Sequence, residues 1–226
     1  MNYSKFEEII GFTFKNADFL KEALTHRSYL NENADWPHKH NERLEFLGDA
    51  VLELIVTEEL FNRFPEEPEG KLTPIRSALV NYQMMASIAK NFKLEEFILL
   101  SRGETRDLGR ARDVILANGA EAVIGAVYLD GGYKAAKDFI NKFVLTNLDY
   151  VFKKGLYEDA KSKLQEIIQE KLKVTPVYKI LSEEGPDHQK VFTSGVFFGD
   201  KLIETGSGQS KQDAEVEAAK KALKTL

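Results

Sequence analysis

Cysteine is absent from the 226 residues of this chain, which excludes disulfide bonds, thiolate metal ligands and cysteine nucleophiles. No run of about 18 apolar residues occurs, so we expect no transmembrane helix and no membrane partner. An excess of basic residues is also missing, because 31 Lys and Arg stand against 36 Asp and Glu. Nucleic-acid-binding proteins usually carry a basic footprint. The net charge of −5 therefore argues weakly against such a partner, unless basic residues are concentrated locally.

The pattern of the chain changes near residue 150, which predicts two domains. Residues 1–148 are dominated by helical periodicity, with a loop at Arg63–Pro74 that contains three prolines. Residues 149–159 show little periodicity and are predicted to be a linker. Residues 160–226 have the order α-β-β-β-α, and Ser210 is expected to cap the last helix. The predicted strands are Val177–Leu181, Val191–Phe198 and Leu202–Thr205.

The stretch Asn41–Asp49, NERLEFLGD, leads into an apolar helix that we expect to be largely buried. Acidic residues recur every three or four positions along one stripe of this helix: Glu42, Glu45, Asp49 and Glu53. Like charges at this spacing repel one another, and buried carboxylates are costly unless something neutralises them. A lone acidic stripe is usually a solvated helix face. The apolar surroundings favour a bound divalent cation here.

A second apolar helix is predicted at Val114–Leu129, and it should end at Gly131-Gly132. Its only polar side chains, Asn118 and Glu121, are three positions apart and lie on one face. If the two helices pack side by side, these oxygens meet those of Glu45 and Asp49. Oxygen ligands without His or Cys suit Mg²⁺ or Mn²⁺. A metal-bound water could then attack a phosphodiester.

Two histidine-containing segments carry weaker signals. Thr25-His26-Arg27-Ser28 could suggest a nucleophile, but no acid–base partner lies at a diagnostic spacing, so we interpret these residues as packing and loop polarity. His38 and His40 are spaced like a metal-binding pair, although the loop around them offers no further soft ligand.

The sequence NERLEFLGDAVL resembles the signature of the bacterial ribonuclease III family. The resemblance extends to ALTHRSY, FPEEPEGKL and ILANGAEAVIGAVYLDGG, and the chain from Ala160 is similar to a double-stranded RNA-binding domain. It implies an all-α nuclease domain followed by a small α+β RNA-binding domain, in a cytoplasmic homodimer. The implied activity is Mg²⁺-dependent hydrolysis of both strands of double-stranded RNA, with Mn²⁺ as a substitute, in the processing of rRNA, mRNA and tRNA precursors. Its products would have 5′-phosphates, 3′-hydroxyls and two-nucleotide 3′ overhangs.

The same resemblance implies roles for individual residues. Glu45 matches a metal ligand, Asp49 a catalytic aspartate, and Glu121 a glutamate that is both catalytic and metal-binding. Glu42 and Glu69 match acidic residues that assist scission, and Phe46 matches an aromatic residue at the dimer interface. Basic residues that could line the RNA-binding valley are Arg102, Arg106, Arg110 and Arg112. The implied RNA-binding residues of the second domain are Gln165, Glu166, Pro186, Asp187, His188, Ser210 and Lys211.

Two positions depart from the family pattern. Asn118 stands where Asp is commoner, so the site loses one negative charge while keeping an oxygen ligand. Gln212 stands where a second lysine is frequent, which predicts fewer phosphate contacts. The alternative interpretation is a double-stranded RNA-binding protein whose catalysis is impaired by Asn118. An acidic helical scaffold would leave the second domain unexplained.

Overall fold

The structure is a computed structural model that describes residues 2–106, 109–157, 159–186 and 190–226. The chain divides into two compact units, Met1–Tyr157 and Glu158–Leu226, and each unit has a hydrophobic core of its own. The order of elements confirms a helical domain followed by an α-β-β-β-α domain.

The first unit is built around two long helices that pack along each other, α4 and α8. Its helices are α1 Tyr3–Ile10, α2 Ala17–Ala23, α3 Arg27–Glu32, α4 Glu42–Arg63, α5 Glu69–Val80, α6 Tyr82–Asn91, α7 Arg102–Arg106, α8 Arg110–Phe143 and α9 Leu148–Lys154. The apolar run of α8 is buried on almost every side, as its composition predicts. Gly132 interrupts α8 with φ 75° and ψ −174°, a conformation that glycine alone adopts readily. The expected end at Gly131-Gly132 is thus a kink between two helical segments.

By length and hydropathy alone, residues 110–154 could cross a membrane, with a mean hydropathy of 1.3 in their most apolar window. However, 56% of that window is buried within this fold. The apolar stretch is therefore accounted for as a core element, because its side chains contact the other helices of the first unit.

Two segments predicted to lack secondary structure form helices. The predicted loop at Arg63–Pro74 ends early, because α5 begins at Glu69 and contains Pro74. Proline inside a helix costs ~3 kcal/mol. Burying Ile75 and Leu79 returns ~1.5–3 kcal/mol each, which offsets that cost. The predicted linker at 149–159 begins with most of α9, because Val151 is fully buried in the core of the first unit.

The second unit is a three-stranded antiparallel sheet with two helices packed on it. Its elements are α10 Ala160–Leu172, β1 Pro176–Glu184, β2 Val191–Phe198, β3 Lys201–Gly208 and α11 Lys211–Thr225. A Cβ on Gly206 would lie 2.2 Å from the backbone nitrogen of Ala218, so glycine lets α11 rest directly on β3. Ser210 caps α11 as predicted, since its side chain accepts a hydrogen bond from the backbone N–H of Asp213.

Candidate active site

The acidic stripe of α4 faces α8 because glycine lets the two backbones touch. A Cβ on Gly48 would lie 1.8 Å from the backbone oxygen of Glu121, and one on Gly125 would lie 2.3 Å from that of Leu44. Real Cβ atoms essentially never approach another heavy atom within 3.0 Å. Both positions therefore need glycine. This close crossing places Glu45 and Asp49 of α4 beside Asn118 and Glu121 of α8.

The four predicted metal-site residues are brought together at this crossing. The Asn118 amide is close enough to the Glu45 carboxylate to act as a hydrogen-bond donor, which tends to lower the pKa of Glu45. Burial and the neighbouring Glu42 and Asp49 outweigh this contact, so the pKa of Glu45 is raised overall. The carboxylates of this cluster therefore repel one another with little compensation from the protein.

Glu121 has the largest pKa shift of the cluster. Burial, followed by the negative charges of Asp49 and Glu45, raises the pKa of Glu121 to about 8. A carboxyl with this pKa is mostly protonated at neutral pH, whereas a cation at its oxygens would favour the ionised form. Strongly perturbed carboxyls in an open cluster are a recognised mark of functional sites.

The donor set fits a hard divalent cation. It consists of the carboxylates of Glu45, Asp49 and Glu121 and the amide oxygen of Asn118, without nitrogen or sulfur ligands. Among the described residues, no three His, Asp or Glu side chains are already drawn into a compact metal-binding group. Hard cations of the Mg²⁺ type take one or two carboxylates directly and keep several waters. The exposed side chain of Asp49 leaves the cluster open to solvent.

The two residues expected to assist scission occupy different places. Glu42 lies at the start of α4, close enough to Glu45 to raise its pKa, and it pairs with Arg27 at 3.4 Å. Glu69 begins α5 and accepts a hydrogen bond from Thr73 at 2.8 Å. It contributes to neither pKa shift in the cluster, so within one chain the structure does not join Glu69 to the acidic site.

The expectation that α4 is largely buried is wrong for one of its faces. Phe46 is 82% exposed, Leu54 59% and Phe61 70%. At 3.6 residues per turn these three positions fall within roughly 80° of one another around the helix. Beside Phe61, a groove of about 370 Å³ opens between α4 and α5, and both Leu72 and Glu69 line it. An apolar stripe of this kind marks an interaction surface.

The histidine-containing segments make structural contacts. His26 shares a 2.8 Å hydrogen bond with the Ser28 hydroxyl, which also accepts the backbone N–H of Ser101. This confirms packing and loop polarity for these residues. His38 and His40 have separate acidic partners, Asp18 at 3.8 Å and Glu42 at 3.7 Å, and so do not act as one pair.

The basic residues expected to line the RNA-binding valley lie around the start of α8. Arg102, Arg106 and Arg110 are exposed, and Arg112 is half-buried. The Arg110 guanidinium stacks over the ring of Tyr82 at 5.5 Å. Three of these four cations are thus available to a polyanion, on the segment that leads into the helix bearing Asn118 and Glu121.

In the second unit, Gln165 and Glu166 are exposed on α10, as is Pro186 after β1. Asp187 and His188 lie outside the described residues. Ser210 uses its hydroxyl to cap α11. The predicted RNA-binding residues that the structure describes therefore lie at solvent-accessible positions of α10, the β1–β2 connection and the start of α11.

Lys211 has partners that sequence patterns did not reveal. Its ammonium group pairs with Glu183 at 2.9 Å and lies 5.6 Å from the centre of the Phe192 ring. Gln212 lines a recess of about 350 Å³ together with Gln165. Glu183 is on β1 and Lys211 begins α11, so this ion pair depends on how the helix packs on the sheet and has no local sequence signal.

Sequence reasoning also missed Gly48, Gly125 and Asn41. A glycine costs ~1 kcal/mol relative to alanine inside a helix, so glycines within two apolar helices were a usable sign of close backbone contact. Asn41 is 2% exposed and gave no sign of its buried partners, because those partners come from another part of the chain.

Residues 16–148 match the family model described as Ribonuclease-III-like, and residues 160–226 match the double-stranded RNA binding motif. A ribonuclease 3 from Carboxydothermus hydrogenoformans is 48% identical over 225 residues, covering 100% of this chain and 96% of that relative. The ribonuclease 3 of Borreliella burgdorferi is 44% identical, covering 99% and 91%. A solved nuclease domain of ribonuclease III from Campylobacter jejuni is 40% identical with a TM-score of 0.59, covering 65% of this chain and 98% of that one. That structure is described as flexible in a region involved in dimer formation.

Proposed function

This chain belongs to the ribonuclease III family and is an endoribonuclease, and from this premise we propose that it hydrolyses both strands of double-stranded RNA at a Mg²⁺-dependent site between α4 and α8. The observation that carries the proposal is the group of mutually repelling carboxyls around Glu121, whose pKa is raised to about 8. The products would carry 5′-phosphates, 3′-hydroxyls and two-nucleotide 3′ overhangs. Duplex regions of rRNA, mRNA and tRNA precursors in the cytoplasm would be the substrates.

Glu45, Asn118 and Glu121 would hold the Mg²⁺, with Mn²⁺ as an adequate replacement. When bound, the ion would act as a Lewis acid and would lower the pKa of a water, so that this water could lose a proton and attack a phosphodiester. The exposed Asp49 carboxylate can orient that water and accept its proton. Glu42, which is half-exposed and paired with Arg27, can hold further water beside the scissile group.

The second part of the proposal is a homodimer formed through the exposed stripe of α4. A two-fold axis perpendicular to a helix pairs that helix with its copy in antiparallel orientation about a midpoint. Leu54 lies almost midway between Phe46 and Phe61, so such a contact would set the Phe46 of each subunit near the groove beside the partner's Phe61. Because Glu69 lines that groove, the same arrangement would bring it toward the acidic cluster of the opposite subunit.

A dimer would explain how both strands are cut. Two acidic clusters related by a two-fold axis match the two antiparallel strands of a duplex, with one hydrolysis on each. The double-stranded RNA-binding motif at 160–226 supports the duplex as substrate. Duplex RNA is recognised mainly through 2′-hydroxyls and phosphates. The exposed Gln165 and Lys211 can supply such contacts.

The competing function is an RNA-binding protein without catalysis. The neutral Asn118 favours it, because the site has one negative charge fewer than it would have with aspartate. The amide oxygen remains a ligand for a hard cation, and Glu45, Asp49 and Glu121 retain three carboxyls. We therefore expect weaker Mg²⁺ binding but intact chemistry.

The test is single-turnover cleavage of a long RNA duplex across a Mg²⁺ titration, with Glu121→Gln as the matched variant. The parent should cleave only with Mg²⁺ or Mn²⁺. Glu121→Gln should lose cleavage and keep RNA binding, because the change removes a charge at the cluster alone. No cleavage by the parent at any metal concentration, together with cleavage by Asn118→Asp, would establish the binding protein instead.

A further inference from the structure

Asn41 is a buried polar residue at the start of α4 whose side chain does not cap the helix. It occupies the N-cap position, yet its side chain makes no capping hydrogen bond to α4. Instead its Nδ2 donates to the carbonyl of Ala23 at 3.3 Å, and its backbone N–H donates to the carbonyl of Thr25 at 2.9 Å. With 2% exposure, the amide is shielded from competing water.

Asn81 is a second N-cap asparagine of this domain, and its side chain makes the capping hydrogen bond that Asn41 does not make. Asn81 is the N-cap of α6, and its side-chain oxygen accepts the backbone N–H of Met84. The Asn41 side chain leaves the equivalent N–H groups of α4 without that acceptor. The exposed Asn81 thus caps its own helix while also donating to the preceding one, whereas the buried Asn41 makes only the contact to the preceding segment.

The segment to which Asn41 donates, Ala23–Thr25, is itself held by backbone hydrogen bonds to Leu99. The backbone N–H of His26 donates to Leu99 at 3.1 Å, and that of Leu99 donates to Leu24 at 2.7 Å. Asn41 therefore attaches α4 to a segment that forms an isolated parallel β-bridge, between Thr25 and Leu99. The attachment restrains both the translation and the rotation of the first turn of α4.

The first turn of α4 contains Glu45, a carboxylate of the acidic cluster. The carbonyl of Asn41 accepts the backbone N–H of Glu45 at 2.9 Å, so the attachment is one helical turn from a carboxylate of the acidic cluster. Metal sites and catalytic groups need to be held within roughly 0.5 Å and 10–20° of their working geometry. A helix that starts loosely would meet that requirement poorly, because its first turn frays most easily.

We propose that Asn41 is a positioning residue, whose amide anchor sets the rotation of α4 and thereby aims Glu45 at the metal. The inference rests on the proposed function of the acidic cluster. The buried Asn41 side chain would itself touch neither the metal nor the RNA.

The first test uses Asn41→Ser in the full chain. Serine is an equally good N-cap, so the helix start is retained, but its hydroxyl is too short to reach the carbonyl of Ala23. Asn81→Ser is the matched control, because Asn81 also donates its amide to a carbonyl of the preceding helix, Ala78 at 3.2 Å. Both variants are titrated with Mn²⁺ by calorimetry, and both are assayed for single-turnover cleavage below their unfolding temperatures.

Asn41→Ser should bind Mn²⁺ roughly tenfold more weakly and cleave ~10- to 100-fold more slowly at equal RNA occupancy. Asn81→Ser should match the parent in both measurements. Equal Mn²⁺ affinity and equal cleavage for parent and Asn41→Ser would overturn the inference. If the parent itself neither bound the metal nor cleaved, the proposed function would have failed instead.

The second test needs no variant. Coupling between two sites is reciprocal, so metal at the cluster must stabilise the anchor if the anchor favours the metal site. Added Mg²⁺ should slow hydrogen exchange of the backbone amides of Asn41 and Glu45 in the parent. The amide of Met85, which bonds to the Asn81 carbonyl at 2.9 Å, should exchange at an unchanged rate. Uniform slowing, or none at Asn41, would contradict the anchor role.

Discussion

Replacing Gly48 by alanine tests whether the backbone contact between α4 and α8 assembles the acidic cluster. The new Cβ would lie 1.8 Å from the backbone oxygen of Glu121 and 2.9 Å from the backbone nitrogen of Gly125. Reaching the 3.0 Å limit at the closer atom requires a local separation of about 1.2 Å. No rotamer change can relieve this clash, because the atoms it meets are backbone.

Two free-energy effects oppose each other in this variant. Alanine favours a helix over glycine by ~1 kcal/mol, whereas overpacking a core costs ~1–3 kcal/mol. The net loss of unfolding free energy should therefore lie between ~0 and ~2 kcal/mol, toward the upper value because the atoms that clash with the new Cβ belong to backbone. Activity should fall further, because a displacement of about 1 Å at a catalytic site can cost ~100-fold in rate.

The assay is single-turnover cleavage across a Mg²⁺ titration, alongside thermal unfolding. Ile55→Val on the same helix is the control for stability alone. It should cost ~0.5–1.5 kcal/mol without moving the cluster. Gly70→Ala is the control for the substitution itself, because nothing lies within 4 Å of the new Cβ. Cleavage by Gly48→Ala at the rate of Ile55→Val would refute the idea that this glycine contact assembles the site.

Four further outcomes are expected. Asn118→Asp should lower the Mg²⁺ concentration for half-maximal cleavage and change the saturated rate less; an unchanged midpoint would mean that Asn118 is not a ligand. Phe46→Ala should weaken the dimer ~30-fold or more in sedimentation, and a parent that is monomeric at micromolar concentration would contradict the interface. Residues 159–226 alone should fold and bind duplex RNA in preference to duplex DNA, which equal binding would disprove. Glu183→Gln should tighten RNA binding roughly two- to fivefold at low salt by releasing Lys211, and weaker binding would show that this ion pair orients the lysine usefully.

The sequence pattern was most informative where periodicity and composition agree. The apolar run before Gly131-Gly132 and the α-β-β-β-α order of the second unit were predicted, since both depend on local spacing. The pairing of Glu45 and Asp49 with Asn118 and Glu121 was also predicted, because two buried helices with one polar face each have few other ways to pack.

The failures share a non-local cause. Prolines suggested a loop up to Pro74, but the burial of Ile75 and Leu79 decides where α5 begins. The linker predicted at 149–159 is wrong for most of α9, because the partners of Val151 lie far away in sequence. The hydrogen bond from the Asn41 amide to the carbonyl of Ala23 could not be predicted either, because an N-cap pattern concerns only the helix that follows it.

The glycine contact also has a consequence for how the protein is made. Gly48 and Gly125 are more than seventy residues apart, so the ribosome, at ~5–20 residues per second, adds α8 roughly 4–15 seconds after α4. During that interval the nascent chain has only one half of the acidic cluster, and the α8-facing side of α4 is uncovered. Because the cluster needs side chains from both helices, it can form only after α8 has been added and has packed on α4. No shorter nascent chain carries the assembled site beside the messenger RNA that is being translated.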